Sequence, residues 1–445
     1  MTGPTRTAGP ADPAGGAEGR AELLRRRHLD LASVGPRWPV DAMAMYAFVA
    51  LGLPDGMIGT AWPAVRNGFG IPLDGLGIVL LVGTVGAIST SSVSGLVLAR
   101  LGVRPTIMLA GTIACLGALG AVLSPVFWAF VAAGAAIGLA AGFIDSSLNA
   151  AVALSGRNRL LNVLHGCYGI GTALGPLVVT AAILAASWRP AYGFLLAVEV
   201  LLVTGWWLAG RRRSRATGPA AADEPAEPSH KGPGPERVTP SSPASDLVPL
   251  SGPGPRSRLA TVVALGLVVF MLYTGFEVSA GQWAPSFDRT TLHLGAAATG
   301  IATFGYWGAM TLVRFGLAAP RRPLPQLAIV RWGCAIGVLG ALLVWWRPVD
   351  VVALLGLVVI GGGLAGVFPA LVALTPSRVG GEIAHHVIGW QIGAASIGGA
   401  AISALFGVVF QHYGLQYFGP ALVVMAVLTM SVALVLERAA RATVR

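Results

Sequence analysis

The chain has 445 residues, of which 55% are apolar and only 11% charged, against roughly a quarter charged in an ordinary soluble domain. So few charges cannot clothe a water-facing surface, which excludes a soluble enzyme or a nucleic-acid-binding module; a mean hydropathy of +0.72 and 61 glycines instead indicate many membrane-spanning helices. The formal net charge of +11 rests on 29 arginines and one lysine, Lys231, a bias that fits a GC-rich coding genome and labels topology rather than a polyanionic partner.

Residues 1-40 are rich in Ala, Gly, Pro and Arg and hold no apolar run of signal-peptide length, so they read as a disordered cytoplasmic tail, with the first span as an uncleaved insertion signal. Crossing a hydrocarbon core takes roughly 20 residues of helix. Runs of that order fall at 42-62, 75-99, 104-123, 126-154, 160-187 and 190-210, then at 259-283, 294-317, 324-346, 349-374, 386-410 and 416-437. The expected fold is an all-α integral membrane protein with 12 transmembrane helices in two pseudo-symmetric six-helix bundles, 41-210 and 258-437. A Pro/Ser/Glu-rich flexible cytoplasmic linker, 211-257, joins them, and 438-445 form a cytoplasmic tail.

Short loops on one side carry Arg100, Arg104, Arg157, Arg159, Arg314, Arg321, Arg322 and Arg378; those on the other carry Arg66, Arg189, Arg289 and Arg347. Eight against four places the first set and both termini in the cytoplasm. A repeat appears at an offset of 222 residues, with Asp55 on Glu277, Pro63 on Pro285, Arg100 on Arg322 and Gly171 on Gly393. Such a duplication is a transporter architecture with its substrate site between the repeats.

Ionisable residues inside the spans carry the chemistry: Asp55, Asp145, His165, Glu199, Glu277 and Arg331. A charge at the centre of a span costs about 2.5–3.5 kcal/mol on insertion scales, so such groups face the bundle interior and mark a pathway or proton relay, unless they snorkel or form a static ion pair. Asp145 and Asn149 share a helix face, as do Asn162 and His165. Carboxylate, amide and imidazole together suit a hydroxyl-rich ligand, with Trp283 or Trp390 stacking on its apolar face; interhelical bonding and interfacial anchoring are the competing roles. Tyr273 shares a face with Glu277, and Gln391 adjoins Trp390. Asp55, Asp145 and Glu277 are the proton-coupling candidates; Asn149, Asn162, His165, Tyr273, Trp283, Trp390 and Gln391 are the substrate-binding ones.

Cys115, Cys167 and Cys334 lie in apolar runs with no CxxC spacing and read as packing residues. No phosphate loop, HExxH or GxSxG element occurs, so no catalytic residue, metal or cofactor is expected. Gly169, Gly171 and Gly175 lack the spacing of a dinucleotide fingerprint and suit close helix contact.

Six plus six spans around a basic linker, with "SGLVLARLGVR" between the second and third, resemble the major facilitator superfamily. Gly95, Arg100, Gly102 and Arg104 fit its gating-loop signature, and Ala99 replaces the acidic residue of that loop. "LPDGMIGTAWP", "GFIDSSLNA", "LNVLHGCYGIGTALGP" and "YTGFEVSAGQWAPSF" resemble its fucose-permease-like sugar:proton symporter branch. Gly171, Gly175 and Pro176 match the front half of the superfamily's antiporter motif, while Val179 and Thr180 replace its closing glycines. The resemblance implies a secondary transporter that moves a small polar, sugar-like solute by alternating access with proton symport; proton-coupled export of drugs or natural products is the alternative. The implied partners are the solute, protons and the lipid bilayer of a bacterial cytoplasmic membrane, with no nucleic acid and a monomeric state.

Overall fold

The structure is a computed structural model, and it describes residues 37–155, 157–216, 255–318 and 324–443. Most of the expected tail 1-40 and linker 211-257 lies outside these residues, as do Arg321, Arg322 and the side chains of Arg159 and Asn162. The helices are α1 (Arg37–Phe69), α2 (Gly75–Leu101), α3 (Val103–Leu123), α4 (Phe127–Leu154), α5 (Asn158–Ala185), α6 (Arg189–Ala216), α7 (Pro255–Thr290), α8 (Ala296–Ala318), α9 (Gln326–Trp346), α10 (Asp350–Leu364), α11 (Val367–Val379), α12 (Gly381–Tyr413) and α13 (Phe418–Thr443). With no water to solvate the backbone inside a bilayer, each span meets its polar groups within its own helix. Helices reverse where the chain permits a left-handed residue. Gly102, between α2 and α3, has φ +81° and donates its N–H to the Leu98 carbonyl at 2.8 Å, a conformation that a Cβ would penalise.

Among the described residues eleven segments are long and apolar enough to cross a membrane. The remaining span, α8, is 23 residues long and less apolar because its inward face is polar: Thr299, Thr303, Tyr306, Trp307 and Thr311 are buried at helical spacing, while Ile301, Leu312 and Phe315 are exposed. The tenth span differs from the continuous helix expected over 349-374. It breaks between α10 and α11, at Ala365 and Gly366, where Pro369 removes the donor that would have bonded the Ala365 carbonyl.

Packing shows the two halves to be related. In the N-terminal half α1 packs on α5, α2 on α4, α3 on both α4 and α6; in the C-terminal half α7 packs on α12, α8 on α10, α9 on both α10 and α13. The expected repeat therefore holds, with one correction. Gly171 of α5 approaches the Val49 carbonyl of α1, and the equivalent approach in the second half, to the Met271 carbonyl of α7, is made by Gly398 rather than Gly393. Val49 and Met271 are 222 residues apart, but Gly171 and Gly398 are 227 apart, so the second half is longer between these helices. Gly393 has open space beside it.

The halves meet through α1 with α7, α5 with α8 and α2 with α12. With an even number of spans both described ends lie on one face, called here the terminal face. At the opposite face α2 and α12 close: Leu73 N–H donates to Gln411 Oε1 at 2.7 Å, and Gly77 leaves no room for a side chain beside Ala404. Toward the terminal face they part, leaving open space beside Gly95, Gly389 and Gly393. The cleft between the halves opens there.

Candidate functional site

Asp55 lies at the middle of α1 and is exposed although Gly56 and Met57 beside it are buried, so it opens on the central cleft. Its Oδ2 accepts the Tyr168 hydroxyl of α5 at 2.6 Å, and its backbone carbonyl accepts Gln282 Nε2 of α7, from the other half, at 2.8 Å. The α1–α5 contact is held by glycine: a Cβ on Gly52, Gly56, Gly171 or Gly175 would run into the facing backbone. That confirms the reading of Gly171 and Gly175 as packing residues. Gly169 faces α8, where the Thr311 hydroxyl donates to its carbonyl at 2.9 Å.

Asp145 and Asn149 share a face of α4, and Asn149 Nδ2 donates to Asp145 Oδ1 at 3.0 Å. Asn149 Oδ1 is buried and has no partner among the described residues. His165 is exposed on α5, meets Phe48 edge-on with centroids 5.7 Å apart, and interacts electrostatically with Asp145. The pairing of His165 with Asn162 concerns a side chain outside the described residues.

In the C-terminal half Glu277 is the hub. One carboxylate oxygen accepts the Tyr273 hydroxyl; the other lies 3.4 Å from Arg314 Nη2 of α8. Its backbone carbonyl accepts the Tyr306 hydroxyl at 2.7 Å. The Tyr273 hydroxyl also lies 2.8 Å from the Leu364 carbonyl, and Arg314 Nε donates to the Ala365 carbonyl at 3.1 Å, both at the break in the tenth span. Arg314 corrects the sequence reading, which counted it as a loop arginine: it is an interior cation paired with Glu277. Tyr168 and Arg314 are the residues that sequence reasoning missed. Tyr168, three residues after His165 and on the same helix face, carried a signal that was available; Arg314, near a span end, carried none.

Three substrate-binding expectations are not met. Trp283 is 0% exposed, its Nε1 donates to the Ser403 carbonyl at 2.9 Å and its ring packs edge-on against Phe410, so it is core between α7 and α12. Gln391 is buried and its Oε1 accepts the Thr375 hydroxyl at 2.9 Å, an interhelical bond. Trp390 is 60% exposed on the α12 stripe that carries Ile397, Leu405 and Val408, an apolar lateral surface.

The two other ionisable residues singled out in the spans have separate surroundings. Arg331 pairs through Nε and Nη2 with Glu437 of α13, which also accepts Arg441, the static ion pair weighed for it above. Glu199 is buried in α6, and its Oε2 has no partner among the described residues. Of the gating-loop residues, Gly102 makes the turn, Gly95 stands in open space, Arg100 is exposed, and Arg104 donates to the Trp206 and Trp207 carbonyls at 2.9 Å each, fastening α3 to α6.

A family model described as Major Facilitator Superfamily matches residues 44–403, which is most of both halves and the linker between them. The chain belongs to the major facilitator superfamily. It is a multi-pass membrane transporter and not an enzyme. A search of curated proteins finds no match by sequence. Among solved structures this superfamily member is similar to the human organic anion transporter MFSD10 (TETRAN), with TM-score 0.57, 16% identity, and coverage of 89% of this chain and 99% of that one. It is also similar to a variant of the nucleoside transporter NupG, with TM-score 0.62, 14% identity, and coverage of 89% and 98%. At such identities the likeness is one of fold.

Proposed function

We propose that this major facilitator couples a small polar, sugar-like solute to protons by symport, with residues 41-210 rocking against 258-437 about the central cleft. One observation carries the reading: Asp55 and Glu277 both act electrostatically on Tyr168, Asp145 acts on His165, and Arg314 is the guanidinium that acts on both Tyr168 and His165. Three carboxyl groups against one guanidinium leave an excess of negative charge. Closing a cleft over unpaired charge costs several kcal/mol, and a proton removes that cost. Hydroxyls of the solute have partners in Asp145, Asp55 and His165. The protein then sits in a bacterial cytoplasmic membrane as a monomer, with the terminal face and both termini in the cytoplasm, so the cleft opens inward.

The test is reconstitution into vesicles holding a pH-sensitive dye. Addition of a transported sugar or related polyol moves protons in the same direction as the solute, and Asp145→Asn abolishes accumulation driven by a pH gradient while sparing exchange down a solute gradient. Normal concentrative uptake by that variant would overturn the assignment of Asp145. The partial antiporter motif at Gly171, Gly175 and Pro176, seated on α1, favours the second reading, proton-coupled export; protons moving opposite to the solute in the same vesicles select it.

A further inference from the structure

The tenth span breaks where its backbone needs outside partners. Proline has no N–H, so at Pro369 the Ala365 carbonyl loses its helical donor, and α10 ends one residue earlier. Arg314 Nε takes the Ala365 carbonyl at 3.1 Å and the Tyr273 hydroxyl faces the Leu364 carbonyl at 2.8 Å. Those same two side chains are the partners of the Glu277 carboxyl group.

A phenol has a single proton to donate. Beside an ionised Glu277 the Tyr273 hydroxyl faces two acceptors, the carboxylate and the Leu364 carbonyl, and can satisfy one. Beside a protonated Glu277 both contacts are met: the carboxyl O–H donates to Tyr273 Oη, and Tyr273 donates to Leu364. We propose that Tyr273 is a positioning residue that reports the proton on Glu277 to the break between α10 and α11. It holds the break when Glu277 is protonated and releases it when Glu277 is ionised. The proposal rests on the reading of Glu277 as a proton carrier.

Release has a direction. An ionised Glu277 accepts the Tyr273 hydroxyl's hydrogen bond and draws the Arg314 guanidinium, now 3.4 Å away at Nη2, onto itself and off Ala365. The Tyr306 hydroxyl holds the Glu277 backbone carbonyl, so the carboxylate stays while its partners move. With two carbonyls unpartnered, α11, which packs on α9 and α12, is free to swing about Ala365 and Gly366. The charged and titratable groups around Glu277 are Arg314 and Tyr306 from α8, Tyr273 from α7 itself, and Tyr168 from α5 with Asp55 from α1 behind it. From α10 and the turn after it come the two carbonyls, and Phe368 of α11 packs against the Tyr273 ring.

The experiment is hydrogen–deuterium exchange of residues 361–379 in the full-length protein in lipid nanodiscs, in acid and in alkali, corrected for the chemical exchange rate, alongside proton-driven uptake. The wild-type segment is expected to exchange about tenfold faster in alkali, the equivalent of one net hydrogen bond. Glu277→Gln, whose amide donates to Tyr273 as the protonated acid would, stays protected at both pH values. Tyr273→Phe, which keeps the ring, exchanges fast at both. The exchange of Glu277→Gln serves if Tyr273→Phe fails to fold. A wild-type pH response in folded Tyr273→Phe, or in Glu277→Gln, overturns the role of Tyr273 as the reporter of that proton. Proton-driven uptake that survives in Glu277→Gln overturns the reading of Glu277 itself, and the role of Tyr273 with it.

Discussion

Replacing Arg314 and Glu277 by glutamine, singly and together, tests whether the charge at the centre of the C-terminal half is a pair. Arg314 Nη2 and Glu277 Oε1 are 3.4 Å apart, with side chains 25% and 14% exposed. A unit pair at ~4 Å is worth about 4 kcal/mol at an effective dielectric of ~20. The contact is single and long and both groups are partly exposed, so roughly half of that, ~2 kcal/mol, is the coupling to expect. Arg314 also holds the Ala365 carbonyl, a charge-assisted bond of about 1.5 kcal/mol. Arg314→Gln should therefore cost ~3.5 kcal/mol, Glu277→Gln ~2 kcal/mol, and the double variant ~3.5 kcal/mol because the pair is lost only once. The assay is equilibrium unfolding in mixed detergent micelles, titrated with a denaturing detergent and followed by tryptophan fluorescence. A double variant whose loss equals the sum of the single ones, within about 0.5 kcal/mol, would refute the pairing and return Arg314 to the role of a loop arginine.

Three further outcomes are expected. Gly171→Val places a side chain into the Val49 carbonyl and should force α1 from α5, costing about 1–3 kcal/mol or more, seen as a fall in monodisperse protein on size exclusion. Arg104→Gln removes two charge-assisted bonds to α6 carbonyls and should lower stability by about 1.5–3 kcal/mol in the same detergent titration, with the KM for transport unchanged. Trp390→Leu, on the lateral apolar surface, should leave both KM and maximal rate of uptake within twofold, roughly the margin of a surface substitution; a large rise in KM would restore it to the substrate site.

Span positions, the two halves and the inward-facing carboxyl groups follow from the sequence because each depends on local quantities. Twenty apolar residues must be a helix in hydrocarbon, and a carboxyl in such a run must turn inward. Asp145 with Asn149, and Tyr273 with Glu277, were legible for the same reason: residues four apart on a helix share a face whatever surrounds it. The tertiary structure alone decided what stands opposite. Trp283 and Gln391 are polar-tipped residues whose hydrogen bonds Ser403 and Thr375 satisfy, which no spacing within α7 or α12 reveals. Arg314 reads as a topological label until α7 sets Glu277 beside it, and Pro369 reads as punctuation until Tyr273 and Arg314 reach the carbonyls at the break. Hydropathy fixes which groups must leave the lipid, and helix packing chooses the partner each one finds.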